Sequence, residues 1–201
     1  MIKKPKYKIG RRLGAGVFEK CQTPKFVASS QRKTKSSSKR PKALSEYGQQ
    51  LIEKQKVRFS YGITERQLGN YVKEASSIKG GSIQEHLFEM LESRLDNVAY
   101  RLGIAHTRRL ARQMVSHGHF LVNGKRTTVP SYKLKVGDAV TAREGSKGSV
   151  LFTNIGERLK SYNQPAWLSF DQASIEGKVI GKPKNTEGFL NLGSVLEFYS
   201  R

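Results

Sequence analysis

Apolar residues recur at helical spacing through the middle of the chain. Leucines and a valine follow one another at intervals of three and four from Leu87 to Leu102. This stripe predicts one amphipathic helix, or two helices that meet near Ser93. Gly103 follows directly, at the place where many helices end in a left-handed residue. A helical core segment is therefore expected near the centre of the chain.

Helix-start signals precede several amphipathic stretches. Thr64 and Gln67 have the spacing of a capping box, in which a hydroxyl and a side-chain carbonyl satisfy each other's backbone donors, and Ser82 and Glu85 repeat it. The apolar tail 192–199 is expected to dock on a core. Besides the central stripe, helices are predicted at about 45–58, 64–75, 107–117 and 149–162.

Most strand signals lie between the predicted helices at 107–117 and 149–162. Asn123-Gly124 separates the strand formers Phe120–Val122 from the basic pair Lys125-Arg126, and both turn residues tolerate a positive φ, which predicts a β-hairpin. Further strand pieces are predicted at 127–129, 132–136 and 139–143, with an irregular or extended region from 165 to 168. Helices and short strands together predict an α+β fold.

Composition excludes several classes of protein. The chain has 201 residues, with 37 Lys and Arg against 16 Asp and Glu, and 36% of its residues are hydrophobic, too many for a wholly disordered chain. No apolar run approaches the ~18–20 residues that a membrane span needs, and no apolar run follows the basic N-terminus as in a secretory signal. Cys21 is the only cysteine. An intrachain disulfide and a multi-cysteine zinc site are therefore excluded, and a reducing compartment fits best.

The net charge of +21 is concentrated in two segments. Residues 1–42 carry 14 basic and 1 acidic residue, and residues 93–144 carry 10 basic and 3 acidic residues. Residues 28–42 have almost no large apolar side chains, so alone they are expected to be disordered and to order along phosphates. Charge of this size indicates a polyanionic partner, most often nucleic acid.

The second basic segment favours RNA over DNA. Its helix is expected to begin at Thr107 and to turn four residues outward: Arg108, Arg109, Arg112 and Gln113. Arginine donates two hydrogen bonds at once to a phosphate, and a helix N-terminus adds backbone donors. Nothing in the segment suits the reading of DNA bases over long regular sites. A folded RNA, bound through its backbone and 2′-hydroxyls, is the favoured ligand.

The same segment resembles a known family. Its motifs are LDNVAYRLG at 95–103, Thr107-Arg108, ARQMVSHGH at 111–119, VNG at 122–124 and VPSY at 129–132. In this order they are similar to the signature of the small-subunit ribosomal protein four family. Weaker likeness at 44–62 and 176–200 extends the resemblance to roughly residues 43–201.

The N-terminal arm departs from the family pattern. Many members carry a zinc-binding cysteine cluster there, whereas this chain has Cys21 alone. Many bacterial members also carry a Pro-Gly-Gln-His-Gly stretch before the first helix, where this chain has Lys39-Arg40-Pro41-Lys42. The charge of the arm still suits rRNA.

The resemblance implies three regions. A basic, extended arm over 1–42 precedes a helical domain over 43–92, which is completed by about 175–201. The RNA-binding module, with a small and mainly antiparallel sheet, covers 93–174. The fold implied is thus α+β, with a helical domain built from non-contiguous segments.

The resemblance also implies a function. The chain is expected to be a structural constituent of the small ribosomal subunit, to bind small-subunit rRNA early in assembly and to help nucleate that assembly. Contact with protein number five, an influence on accuracy near the point where mRNA enters, and mRNA as a further partner are also implied. The expected location is cytoplasmic, although an organellar ribosome fits the same residues. No catalytic residue, cofactor, metal or membrane is implied.

Basic, polar and aromatic side chains along these segments are the candidate RNA contacts. They are Lys39, Arg40, Lys42, Tyr47, Lys54, Lys56, Arg58, Arg66, Arg94, Arg101, Thr107, Arg108, Arg109, Arg112, Gln113, Ser116, His117, His119, Asn123, Lys125, Arg126, Tyr132 and Lys133. The two histidines form an H-x-H pair, but no further ligand lies nearby in sequence, so RNA contact or turn packing is favoured over zinc. The tyrosines, including Tyr61 and Tyr71, either stack on bases or pack in the core.

The main alternative is a stand-alone RNA-binding or rRNA-modifying factor with the same module. Pseudouridine synthases, a tRNA synthetase and RNA methyltransferases carry it beside a separate catalytic domain, for which the tail after position 144 is too short. A free ribosome-associated factor leaves the likeness at 44–62 and 195–200 unexplained. A DNA-binding architectural protein does not fit the irregular basic hairpin.

Overall fold

A computed structural model of the chain describes residues 5–35, 43–153, 155–159, 162–172, 174–184 and 188–201. The candidate contacts Lys39, Arg40 and Lys42 lie outside these residues. The described residues form two compact units. The discontinuous unit consists of those within Met1–Gln84 and Thr186–Arg201, and the central unit of those within Glu85–Asn185. No described helix is long and apolar enough to cross a membrane.

Both helices and strands occur among the described residues, as the predicted α+β fold requires. The helices are α1 (Lys6–Leu13), α2 (Pro24–Lys35), α3 (Glu46–Ser60), α4 (Glu65–Ser77), α5 (Ile83–Glu92), α6 (Leu95–Arg101), α7 (Arg108–Ser116), α8 (Glu144–Lys147), α9 (Val150–Thr153), α10 (Ile155–Leu159) and α11 (Leu192–Ser200). The strands are β1 (Phe120–Val122), β2 (Lys125–Arg126), β3 (Ala139–Ala142), β4 (Leu168–Asp171) and β5 (Glu176–Val179), and two 3₁₀ turns lie at Ala15–Val17 and Glu19–Cys21.

The N-terminal segment is folded, which corrects the expectation of an extended arm. Leu13, Val17, Cys21 and Phe26 are buried together with the backbone of Gly10. A side chain at Gly10 would overlap the sulfur of Cys21, so the glycine lets α1 approach the second 3₁₀ turn closely. The few apolar residues of this segment are spaced closely enough to make a small core of their own. Helix α2 also covers the first part of the 28–42 stretch that was expected to be disordered.

Helices α3, α4 and α11 also belong to the discontinuous unit, and the predicted starts of α3 and α4 are confirmed. Ser45 caps α3 by accepting from the amide of Gly48 at 3.2 Å. Thr64 and Gln67 make both hydrogen bonds of the capping box at the start of α4. The C-terminal helix packs along α3 with Val195 fully buried, as the apolar tail predicted.

The leucine stripe forms two helices of the central unit, α5 and α6. All five apolar residues of the stripe are buried, and the chain leaves the helical path at Arg94, whose φ and ψ are −65° and 136°. The second of the two predicted arrangements is therefore correct. After α6, Gly103 has a φ of 77°, which confirms the left-handed helix end.

The central unit also holds one five-stranded sheet in the order β2-β1-β3-β5-β4, with every pairing antiparallel. Asn123 and Gly124 have φ angles of 48° and 77°, so both turn residues are left-handed and the predicted hairpin is confirmed. Its register places Leu121 opposite Arg126 and Val122 opposite Lys125.

Residues 127–136 do not form the predicted strand pieces, apart from one isolated bridge between Lys133 and Arg94. The amide of Thr127 still donates to the carbonyl of Phe120 in β1 at 3.3 Å, but further along the segment the backbone bonds to the junction of α5 and α6. The amides of Leu95 and Asp96 donate to the carbonyls of Tyr132 and Pro130 at 2.9 and 3.1 Å. In the range 149–162, where a single helix was predicted, the described residues form the two short helices α9 and α10.

Candidate nucleic-acid interface

Helix α7 covers the segment for which the sequence predicted a basic outer face. Its N-cap is Thr107, whose hydroxyl accepts from the amide of Leu110 at 3.1 Å. The inner side of the helix is apolar, since Ala111, Met114 and Val115 are buried. The outer side is formed by three exposed residues at helical spacing: Arg109, Gln113 and Ser116.

Asp96, in the first turn of α6, binds two arginines from different elements. Arg94 donates to both carboxylate oxygens, from Nε at 3.0 Å and from Nη2 at 2.9 Å. Arg112 of α7 donates from Nε at 2.8 Å and lies 2.7 Å away through Nη2. The carboxylate itself is buried. Asp96 thus links the start of α6 to the outer side of α7.

Glu92, the last residue of α5, organises a second group of side chains. Arg101 donates to both of its oxygens at 2.9 and 3.1 Å. The Asn97 amide donates to Glu92 at 2.9 Å, and its oxygen accepts from Nε of Arg108 at 2.7 Å. The Arg108 guanidinium also lies 4.4 Å from the centre of the Tyr100 ring, a cation–π distance. The three residues around Glu92 are thereby held in one orientation each.

These contacts change the expected roles of four candidate arginines. Arg94 is 1% exposed, so it ties Asp96 into the core and presents nothing to a ligand. Arg101 is held by Glu92 in the same way along one edge. Arg108 and Arg112 were expected to face outward, but both are half-buried because internal carboxylate or amide oxygens bind their inner edges. Among the described arginines of α7, Arg109 alone is exposed.

The hairpin contributes exposed cations beside a rigid turn. Lys125 and Arg126 of β2 are both exposed. Asn123 acts within the fold, since its amide donates to Asp138 at 2.8 Å and its oxygen accepts from the amide of Ala139 at 2.9 Å. Sequence reasoning placed Asn123 among the RNA contacts, whereas here its side chain joins two turns of the sheet.

His117, Gly118 and His119 bring the end of α7 against the hairpin. Gly118 has a φ of 74°, and the Arg126 guanidinium lies where a side chain at this position would be. His119 approaches the hydroxyl of Ser146 through Nδ1 at 3.0 Å. Burial lowers the pKa of His119, and the positive charges of His117, Arg143 and Arg126 lower it further. His117, Arg126 and Arg143 thus lie close enough to His119 to act on the charge of its ring.

Arg143 and the N-terminal cations are exposed positive groups that the candidate set left out. Arg143 follows β3 directly, and Arg11 and Arg12 lie in the last turn of α1. The signal for Arg11 and Arg12 was present in the charge of residues 1–42. The resemblance to the family began only at about residue 43, so it named no particular cation in α1.

The loop before β3 places an aromatic and a basic candidate beside α6. Tyr132 and Lys133 are both exposed, and the loop is held by backbone hydrogen bonds to residues 93–96. Tyr61 and Tyr71, in contrast, are buried, so these two pack rather than stack on bases.

Three of the four candidate cations that the structure describes in the discontinuous unit are engaged in internal ion pairs. Lys54 is buried and lies 2.7 Å from Glu65, which also binds Arg58 at 3.0 Å. Lys56 lies 2.6 Å from Glu53. Tyr47 is exposed but tilts against Phe198, with 5.5 Å between ring centres. Arg66 is the exposed cation of this candidate group.

Among the described residues, no group of three or more His, Cys, Asp or Glu side chains could hold a metal ion. The two histidines of the H-x-H pair have ring centres 6.1 Å apart and meet the hydroxyl and cations named above. The chemistry of the central unit is therefore that of an exposed array of guanidinium, ammonium and imidazole groups on a buried frame of carboxylates.

Comparisons with known proteins agree along the whole chain. Residues 1–92 match the family model of the ribosomal protein S4/S9 N-terminal domain, and residues 93–140 match that of the S4 domain. A small ribosomal subunit protein uS4 from Chloroflexus aurantiacus is 40% identical over 201 residues, 98% of this chain and 97% of its own length. Proteins of the same name from Endomicrobium trichonymphae and Streptococcus thermophilus are 45% and 46% identical over 160 residues, 79% of this chain and 76% and 78% of theirs. The chain belongs to the small ribosomal subunit protein uS4 family.

Proposed function

We propose that this chain binds small-subunit rRNA through the exposed cations of α7 and the hairpin, and that it does so early, as a nucleating step in subunit assembly. Family membership makes it a structural ribosomal protein and not an enzyme. The observation that carries the RNA surface is the array of Arg109, Lys125 and Arg126, all exposed on a folded unit.

The array suits phosphates better than base edges. Its members stand on a helix face and on a short hairpin, and guanidinium and ammonium groups bind phosphate oxygens through charge-assisted hydrogen bonds. Such contacts position a protein on its RNA and make the affinity fall steeply with salt. The irregular surface of an rRNA junction offers phosphates in many directions, which fits an array spread over two elements.

The partners within the subunit are part of the same proposal. Small-subunit protein number five is the proposed protein neighbour, and the site where mRNA enters is the proposed location, with an effect on translational accuracy. Similarity to uS4 proteins over nearly the whole length supports this assignment. The domain division into an arm, a helical domain and an RNA-binding module is retained as a proposal as well.

Sedimentation of a cell lysate tests the assignment to the subunit. The chain is expected to migrate with small subunits through a sucrose gradient. A chain found only in the free-protein fractions would favour the stand-alone factor. The match of residues 1–92 to a ribosomal N-terminal domain is the observation against that alternative.

Filter binding to small-subunit rRNA tests the surface. The double variant Arg109→Ala/Lys125→Ala removes two exposed cations and is expected to weaken binding about tenfold. Lys178→Ala/Lys182→Ala is the matched control, because it removes the same charge from the same unit at lysines paired with Glu176 and Glu89. Equal losses in the two double variants would show that net charge, and not this surface, decides binding.

A further inference from the structure

Glu92 and Asp96 are buried carboxylates with an arrangement that folding alone does not require. They lie four residues apart, at the end of α5 and in the first turn of α6, and both are almost fully buried. Together they contact four guanidinium groups, those of Arg94, Arg101, Arg108 and Arg112. Buried ion pairs are weak sources of stability, because desolvation offsets most of their attraction. Replacing a whole buried ion pair by apolar residues of similar volume is often neutral or stabilising.

The four arginines differ in how much of each side chain reaches solvent. The exposed side-chain fraction is 2% for Arg94, 14% for Arg101, 18% for Arg108 and 25% for Arg112. The last three therefore combine a fixed inner contact with a partly exposed outer part. An arginine in this state keeps its charge at the surface while its rotamer is set from below.

The inner contacts fix direction as well as position. Arg101 and Arg112 approach the carboxylates through the same edge of the guanidinium, with Nε and Nη2. Because the guanidinium is planar, binding one edge sets the plane and the direction of the opposite edge. The amide of Asn97 extends the effect to Arg108 by donating to Glu92 and accepting from the arginine. The two carboxylates thus set the orientation of three arginines from α6 and α7.

We propose that Glu92 and Asp96 are positioning residues of the RNA interface, which hold Arg101, Arg108 and Arg112 in the orientation that phosphates bind. This proposal rests on the proposed function. The ligand chemistry is the phosphate backbone of a folded RNA, which meets guanidinium groups that need no further ordering when it binds.

The sign of a charge change separates positioning from simple electrostatics. Neutralising a carboxylate beneath a basic surface makes that surface more positive, so attraction by net charge alone would tighten the binding of a polyanion. Loss of orientation would weaken it. The variants Asp96→Asn and Glu92→Gln keep the shape and an acceptor oxygen while removing the charge.

The experiment is a double-mutant cycle on rRNA binding with Asp96→Asn, Arg112→Ala and the combination. Asp96→Asn is expected to weaken binding about fivefold in the wild-type background and to have little effect in the Arg112→Ala background. Additive losses, or tighter binding by Asp96→Asn, would overturn the proposal. Glu144→Gln is the control, since it neutralises an exposed carboxylate of the same unit.

Two further measurements keep the outcomes distinct. Failure of the wild-type chain to bind small-subunit rRNA would overturn the proposed function itself. If thermal melting shows that Asp96→Asn does not fold, Arg112→Lys replaces it, because it keeps the charge and loses the planar fork. Binding by a folded Arg112→Lys variant equal to that of the wild type would show that orientation is unimportant. A loss of about fivefold would support the proposal.

Discussion

At the scale of single residues, Glu65 is a carboxylate of the discontinuous unit that accepts hydrogen bonds from three side chains. It accepts from Lys54 at 2.7 Å, from Arg58 at 3.0 Å and from the hydroxyl of Tyr199 at 2.9 Å. Burial alone would raise the pKa of Glu65, but the hydrogen bonds from Lys54 and Tyr199 and the nearby positive charges outweigh it and lower the pKa. Burial and the same carboxylate raise the pKa of Tyr199.

The stability of the discontinuous unit should therefore fall in acid. A carboxyl whose pKa is lower in the folded state stabilises the fold above its unfolded pKa, near 4.5, and loses that contribution as the pH falls through the folded value. Glu65→Gln should flatten this dependence, by about 1 kcal/mol or less because the side chain is partly exposed. Thermal melting between pH 7 and pH 3 measures it. Glu74→Gln, an exposed carboxylate on the same helix, should leave the wild-type dependence in place.

The sequence did not predict which of the charged candidate side chains are buried. Lys54 and Arg94 were counted as RNA contacts because of their type, and both are buried against carboxylates. A signal existed for Arg94, because Glu92 and Asp96 lie inside the strongest apolar stripe of the chain, where carboxylates need partners. No local signal pointed to Lys54, since Glu65 reaches it only after the chain has turned back.

At the scale of elements, local patterns predicted the parts whose hydrogen bonds are local. The capping box at Thr64, the hairpin at Asn123-Gly124 and the helix end at Gly103 each depend on a few neighbouring residues, and all three are confirmed. The segment 127–136 was misread as strand because its backbone partners are residues 93–96, some 35 positions earlier. The N-terminal segment was misread because its small core joins residues from four helical pieces.

The packing of α11 on α3 makes a prediction for this pair of helices. Val195 is fully buried at their contact. Val195→Ala removes two methyl groups from a filled core and should destabilise the discontinuous unit by about 2 kcal/mol. Hydrogen exchange would show reduced protection of the α3 amides. Val150→Ala is the matched control, because that valine is exposed, and protection of α3 should not change there.

At the scale of the whole molecule, the formal charge of +21 overstates what an RNA meets. Lys54, Lys56, Arg58 and Arg94 all lie in internal ion pairs. The remaining exposed cations belong to short elements on both units, among them α1, α7 and the hairpin. Electrostatic binding should depend on this exposed set, because solvent and counterions surround only those groups in the free protein.

The dependence of rRNA affinity on salt measures the size of that set. The logarithm of the binding constant should fall linearly with the logarithm of the salt concentration. Arg109→Ala/Lys125→Ala should reduce the slope by about 1.4 to 1.8, since each lost phosphate contact contributes roughly 0.7 to 0.9. Lys178→Ala/Lys182→Ala should reduce the slope less, because these two exposed lysines lie outside α7 and the hairpin and each pairs with a carboxylate, Glu176 or Glu89. An equal reduction in both variants would contradict the proposed RNA surface on α7 and the hairpin.

The discontinuous unit has a consequence for the order in which the chain folds. Helix α3 is made before the central unit, its partner α11 is made after it, and Gln50 and Glu197 bond across 147 positions. The central unit is one uninterrupted stretch and can fold while synthesis continues. During that time the apolar face of α3 lacks the helix that buries it. The unit whose synthesis begins first is therefore completed only after the whole central unit has been made.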